Sequence, residues 1–104
     1  MYLRPESLRR TELRLLLELE IIDKSQLEEY KKLAPATLKA HQGKLIVRGG
    51  QQISLEGNWN PERMVIIEFP SVEIAKEWYH SKAYQEASVF RNKATKTRMI
   101  ILAG

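Results

Sequence analysis

The chain has 104 residues, a formal net charge of +4, 43% hydrophobic residues and no cysteine. That length suits one domain burying roughly two-thirds of its unfolded surface, and the missing thiols exclude disulfides, thiolate metal sites and cysteine nucleophiles. No apolar run reaches the roughly 18 residues of a membrane helix, and residues 1–12 lack the apolar stretch of a signal peptide. The expected setting is therefore cytoplasmic.

Residues 1–12 are short of core residues and read as an N-terminal extension to a single domain over 13–104. From Leu13 the chain alternates: Leu13, Leu15, Leu17, Leu19 and Ile21 fall on one face of a strand, and Arg14, Leu16, Glu18 and Glu20 on the other. The all-leucine face is the one to lie under helices. Asp23-Lys24-Ser25-Gln26 reads as a capping box, with Asp23 as N-cap and Gln26 reaching back. The helix that follows buries Leu27, Tyr30, Leu33 or Ala34, and Leu38. Pro35 predicts a kink or restart, and Gly43 a left-handed end.

A second strand, Lys44–Arg48, is expected to run on past Gly49-Gly50 to Leu55, with a bulge or a close backbone approach at the glycine pair. Gly57-Asn58-Trp59-Asn60-Pro61 is a turn cluster. Arg63–Phe69 is a third strand, stopped by Pro70 and followed by the cap Ser71. The next helical zone buries Ile74, Ala75 and Trp78, breaks at His80-Ser81, and resumes with Ala83, Ala87 and Phe90 inward. Thr97–Ala103 forms the last strand. Tyr79 and Tyr84 read as helix-to-sheet packing with wet hydroxyls.

A βαββαβ order with right-handed crossovers predicts an α+β, ferredoxin-like fold: a four-stranded antiparallel sheet in the order 4-1-3-2, helices on one face. A hairpin symmetric about Asn58 sets Arg48 opposite Glu68. Two helical zones cover one face only. The other keeps Leu16, Ile46, Met64 and Ile66, too much apolar surface for a small monomer to leave wet. A second copy packed sheet to sheet, giving a dimeric α/β barrel, is the economical answer.

By alternation, the same open face receives Glu18, Glu20, Arg48, Glu68 and Arg98. Charges beneath a second sheet are costly unless paired, so they line either a hydrated small-molecule pocket or an ion-pair network that fixes dimer register. Arg48, Glu68, Glu18 and Trp59 are the candidate ligand-binding residues. Arg48 would orient an anionic or carbonyl group of a small organic acid or carbonyl compound, and Glu68 would position Arg48 or accept a proton. His41 joins Glu68 as a candidate catalytic base, since histidine titrates near neutrality; the alternative for His41 is a helix cap. His80 carries the same two readings. The two histidines have no metal-ligand spacing.

Whether the protein is an enzyme stays open. No GxGxxG, P-loop or nucleophile-elbow pattern occurs, and no cofactor or metal is expected. Arg91, Lys93, Lys96 and Arg98 concentrate positive charge after the second helical zone, where it complements the helix dipole. Nucleic acid is not the favoured partner, because among the sheet's central strands only Phe69 offers an aromatic for base stacking.

Tyr30-Lys31-Lys32-Leu33-Ala34-Pro35, Val47-Arg48-Gly49-Gly50, Leu55-Glu56-Gly57-Asn58-Trp59, Glu68-Phe69-Pro70-Ser71 and Ala75-Lys76-Glu77-Trp78-Tyr79, with Ser81, Tyr84 and Gln85, resemble the domain-of-unknown-function family numbered 1330. The resemblance runs from about Leu13 to Gly104 and implies a ferredoxin-like fold in the dimeric α+β barrel superfamily. That superfamily includes cofactor-free monooxygenases, lactone isomerases and haem-handling enzymes, an analogy at the level of fold. The family itself implies no activity. Two departures stand out: residues 1–12 precede the usual start, and His80 replaces an acidic residue after the Trp-Tyr pair.

Overall fold

A computed structural model of the chain describes residues 13–103; the N-terminal extension lies outside the described residues. Seven elements follow in order: β1 (Leu13–Ile21), α1 (Lys24–Ala40), β2 (Lys44–Arg48), β3 (Arg63–Phe69), α2 (Val72–His80), α3 (Lys82–Ala94) and β4 (Thr95–Ala103). The sheet order is β2-β3-β1-β4, with every pairing antiparallel. This is the ferredoxin-like arrangement expected from the element order.

Leu13, Leu15, Leu17 and Leu19 are all buried, as alternation requires of a strand with one covered face. Leu13, Leu15 and Leu17 meet Ile67 and Phe69 of β3 and Ala75, Trp78, Tyr84 and Ala87 of the helices in one core. Trp78 is fully buried and stacks 3.9 Å from Tyr84 and 5.3 Å from Phe69, centroid to centroid. Its Nε1–H donates to Thr37 Oγ1 at 3.0 Å, and that hydroxyl donates to the Ala34 carbonyl at 2.7 Å. The indole therefore ties α2 to α1 with its polar atom satisfied. Tyr84 differs from expectation: it is fully buried, and its hydroxyl bonds Tyr30 Oη at 2.9 Å. Burial pushes both phenols up from their ordinary value.

Several local expectations shift for identifiable reasons. Asp23 caps α1 by accepting from Ser25 N at 3.0 Å and Gln26 N at 3.3 Å. Gln26 does not complete the box, because Asp23 N already donates to the Ala94 carbonyl at 3.0 Å. Pro35 neither ends nor restarts α1, which runs through it. It stands on the exposed side, where a carbonyl released one turn back can be hydrated. Gln42, not Gly43, takes the left-handed conformation (φ +60°). Gln42 N then bonds Lys39 O and Gly43 N bonds Leu38 O at 2.8 Å, a Schellman end. Gly43 is required for space instead: a Cβ there would lie 2.9 Å from Leu38 and from Phe69. Ser81 joins two helices. Its Oγ accepts from Tyr84 N to start α3 and donates to Trp78 O to finish α2.

The β2–β3 hairpin departs most from the reading of the sequence. β2 stops at Arg48, and Gly49 and Gly50, at φ +73° and +94°, turn the chain out of the ladder. The bulge falls earlier, between Leu45 and Val47. Lys44, not Arg48, faces Glu68, and Arg48 faces Val65.

Candidate functional site

Register decides which side chains share the open face. Arg14, Leu16, Glu18 and Glu20 of β1 pair with Glu68, Ile66 and Met64 of β3 and with Leu102, Ile100, Arg98 and Lys96 of β4. Apolar side chains make the middle of this face: Ile100 is 57% exposed, Leu102 52% and Ile46 46%, with Leu16, Met64 and Ile66 half-buried. Charged pairs bracket the band. Arg14 Nη1 meets Glu68 Oε2 at 2.8 Å near one end, and Arg98 pairs with Glu18 nearer the other.

Glu18 is the most heavily bonded group of the face. Its Oε1 accepts from Arg98 Nε at 2.7 Å and also from Arg98 Nη2, and its Oε2 accepts from Trp59 Nε1 at 3.2 Å. Trp59 reaches it because the segment after the glycine pair folds back over the end of the sheet. Gly49 N bonds Met64 O at 3.0 Å to close the base of that segment, and Trp59 N donates to Ser54 Oγ at 3.0 Å. Glu62 accepts from the backbone N of Ile21. Hydrogen bonds from Arg98 and then Trp59 hold the Glu18 carboxyl below its ordinary range, against a smaller opposing effect of burial. Glu18 is thus an anchored anion near neutral pH, better suited to orienting Arg98 and Trp59 than to accepting a proton.

Beside this anchor lies an open cleft of about 560 Å³, lined by Glu18, Glu20, Asn60, Glu62, Lys96 and Arg98 among others. Its size falls within the range of small-molecule sites, and its walls carry charges of both signs. Among the described residues, no group of three or more His, Asp or Glu side chains is spaced to hold a metal ion.

The expected constellation is therefore only partly assembled. Glu18 and Trp59 come together. Glu68 stands four residues along β1 from the Glu18 position, roughly 13 Å at strand rise, and its partner is Arg14. Arg48 is not on the open face. The extra residue at Ile46 turns β2 by one side-chain step, so Arg48, opposite Val65, shares the helix-covered side with Leu17. His41 caps α1, with Nδ1–H donating to the Thr37 carbonyl at 3.0 Å. His80 ends α2, exposed, its ring edge-on to Tyr79. The four expected surface cations are divided: Arg91 is buried, its guanidinium 5.9 Å from the Tyr84 ring centroid, while Arg98 is bound to Glu18. Lys96, Asn60 and Glu62 were not legible as cleft residues, since only strand register and the fold of the connecting segment bring them together.

Residues 15–104 match a family described as a domain of unknown function (DUF1330). No curated relative matches the chain. Among solved structures, a protein of unknown function from Rhodopseudomonas palustris is similar, with a TM-score of 0.76 at 20% identity, covering 92% of this chain and 84% of that one. SnoaB, a cofactor-independent oxygenase from Streptomyces nogalater, gives 0.65 at 6% identity over 90% and 93% of the two chains. A dimeric protein of unknown function and ferredoxin-like fold from Bacteroides fragilis gives 0.59 at 10% identity over 91% and 98%. At these identities the likeness is one of fold.

Proposed function

Because the chain belongs to the DUF1330 family, whose description names no reaction, we propose from its own geometry that it acts as a homodimer, pairing through the open sheet face and holding a small molecule where the partner closes the cleft at Glu18. The observation that carries this reading is the apolar band of Ile46, Ile66, Ile100 and Leu102, bracketed by two ion pairs. An exposed band of this kind is a contact surface in small soluble domains. Charges already paired within one subunit cost less to cover than free ones. Ile53 and Leu55, 74% and 90% exposed in the segment that carries Trp59, extend the apolar surface. The dimeric Bacteroides fragilis protein, similar in fold, supports the same reading.

In such a pair Lys96 and Arg98 line the cleft and can meet an anionic or carbonyl oxygen, while Trp59 holds the Glu18 carboxylate that lines it. The second reading is a dimer whose charges serve register alone. Light scattering at micromolar concentration tests the pairing: the wild type reads as two subunits and Ile100→Asp as one, still folded by circular dichroism. A wild type that reads as a single subunit overturns the proposal. A thermal-shift screen of small carboxylates and ketones then divides the two readings. A stabilising compound whose effect vanishes in Ile100→Asp marks a ligand held between subunits, and the absence of any such compound favours the register-only dimer.

A further inference from the structure

The bulge at Ile46 has a consequence on the opposite side of the sheet. Arg48, opposite Val65, and Arg63, opposite Leu19, both stand on the helix-covered face. Both line one slot, and Arg63 reaches the edge of β2: a Cβ on Gly49 would lie 3.9 Å from the Arg63 guanidinium. Among the described residues neither arginine has a carboxylate within ion-pairing distance, whereas Arg14 and Arg98 each have one. Beneath them α1 leaves a slot of about 90 Å³, walled by Leu17, Leu27, Leu38 and Ile67. Leu45 lines the same slot and remains 41% exposed although it pairs with buried Ile67.

We propose that this slot is a binding site for a short-chain aliphatic carboxylate, with the carboxylate on Arg48 and Arg63 and the hydrocarbon tail under α1. Two arginines lining one slot favour a planar, bidentate anion. The remaining walls are mainly apolar, with Tyr30 and Lys31 of α1 among them, and suit an apolar tail, which inorganic phosphate lacks. The slot's volume of about 90 Å³ suits a short tail such as a propyl or isopropyl group. Ordinary ligand pockets begin near 300 Å³, so a short tail fits this slot better than a long acyl chain or a ring. This site is separate from the cleft at Glu18 and does not depend on pairing of subunits.

Amide chemical-shift titration of the full chain tests it, with sodium butyrate, its neutral isostere butyramide and inorganic phosphate as probes. Butyrate is expected to give saturable shifts at Leu45, Arg48 and Val65. Affinity should fall about tenfold or more for butyramide, and likewise for butyrate with the Arg48→Gln/Arg63→Gln double variant, since each removes charge-assisted bonds. The monomeric Ile100→Asp variant should keep the butyrate response, which separates this site from the dimer. Absence of saturable butyrate shifts, an equal response to butyramide, or phosphate binding as tightly as butyrate each overturns the proposal.

Discussion

On the covered side of the sheet, Leu13, Leu15 and Leu17 pack against a fully buried Trp78 and Tyr84, and the polar atoms within that core, Trp78 Nε1 and the Tyr84 hydroxyl, have partners. On the open side Leu16, Ile66 and Ile100 alternate with arginines and glutamates paired across strands, and more than half of Ile100 is exposed. The same strands thus carry a surface specified by shape and another specified by charge register. Close-packed cores penalise any change of volume, whereas an exposed, charge-bracketed band tolerates change until something is docked on it.

The comparison breaks most easily from the covered side. Trp78→Ala removes the central side chain and its bond to Thr37, and should cost about 3–5 kcal/mol, read by urea denaturation. A loss below about 1 kcal/mol would mean that the covered face is not the rigid one. Tyr84→Phe sharpens the contrast: losing the bond to Tyr30 should cost about 1 kcal/mol near neutral pH. It should also change the alkaline limb. Burial raises the Tyr84 pKa in the fold, so the associated stability is fully present below the ordinary value of 10.0 and declines as pH rises above it. Thermal midpoints followed with pH should therefore fall less steeply on that limb in Tyr84→Phe than in the wild type.

The smallest effect belongs to the open face. The Glu18 carboxyl is lowered by its bonds to Arg98 and Trp59, so its stabilising contribution is fully present above the ordinary 4.5 and is lost as pH falls through the lowered folded-state value. Glu18→Gln should lower the neutral midpoint slightly, by less than Tyr84→Phe does, and flatten the acid limb. Asp23, lowered by its cap bonds, keeps some acid dependence in both proteins. A variant that loses as much stability at neutral pH as Tyr84→Phe would show Glu18 to be part of the folding core.

Most of the fold was legible because its signals are local. Alternation from Leu13 named the covered face, Asp23 and Ser71 named helix starts, and crossover rules gave the strand order. The candidate site was less legible because it depends on cross-strand register, which no single strand encodes. The glycine pair was a genuine irregularity signal, but it marks where β2 leaves the sheet. The bulge sits at Ile46, inside an ordinary apolar run, and is visible only against β3. That one-residue offset carried Arg48 to the other face, while Glu68 meets Lys44, four residues from the expected partner on β2, because the hairpin's register is set by its long connecting segment. Glu18 and Trp59, 41 residues apart, met because a segment without regular structure folds back over the sheet's end, something composition alone does not dictate. Tyr84's buried hydroxyl was missed for a related reason: Tyr30, its partner, lies on a different helix.

The extra residue in β2 acts as a parity element. Gain or loss of a single codon there would exchange which side of the β-layer receives the guanidinium that follows, with the helices, the strand order and the rest of the hairpin unchanged. Relatives sharing this architecture could thus differ in what they attract by the length of one edge strand alone, so alignments that slide a gap across it would blur a chemical difference into a cosmetic one.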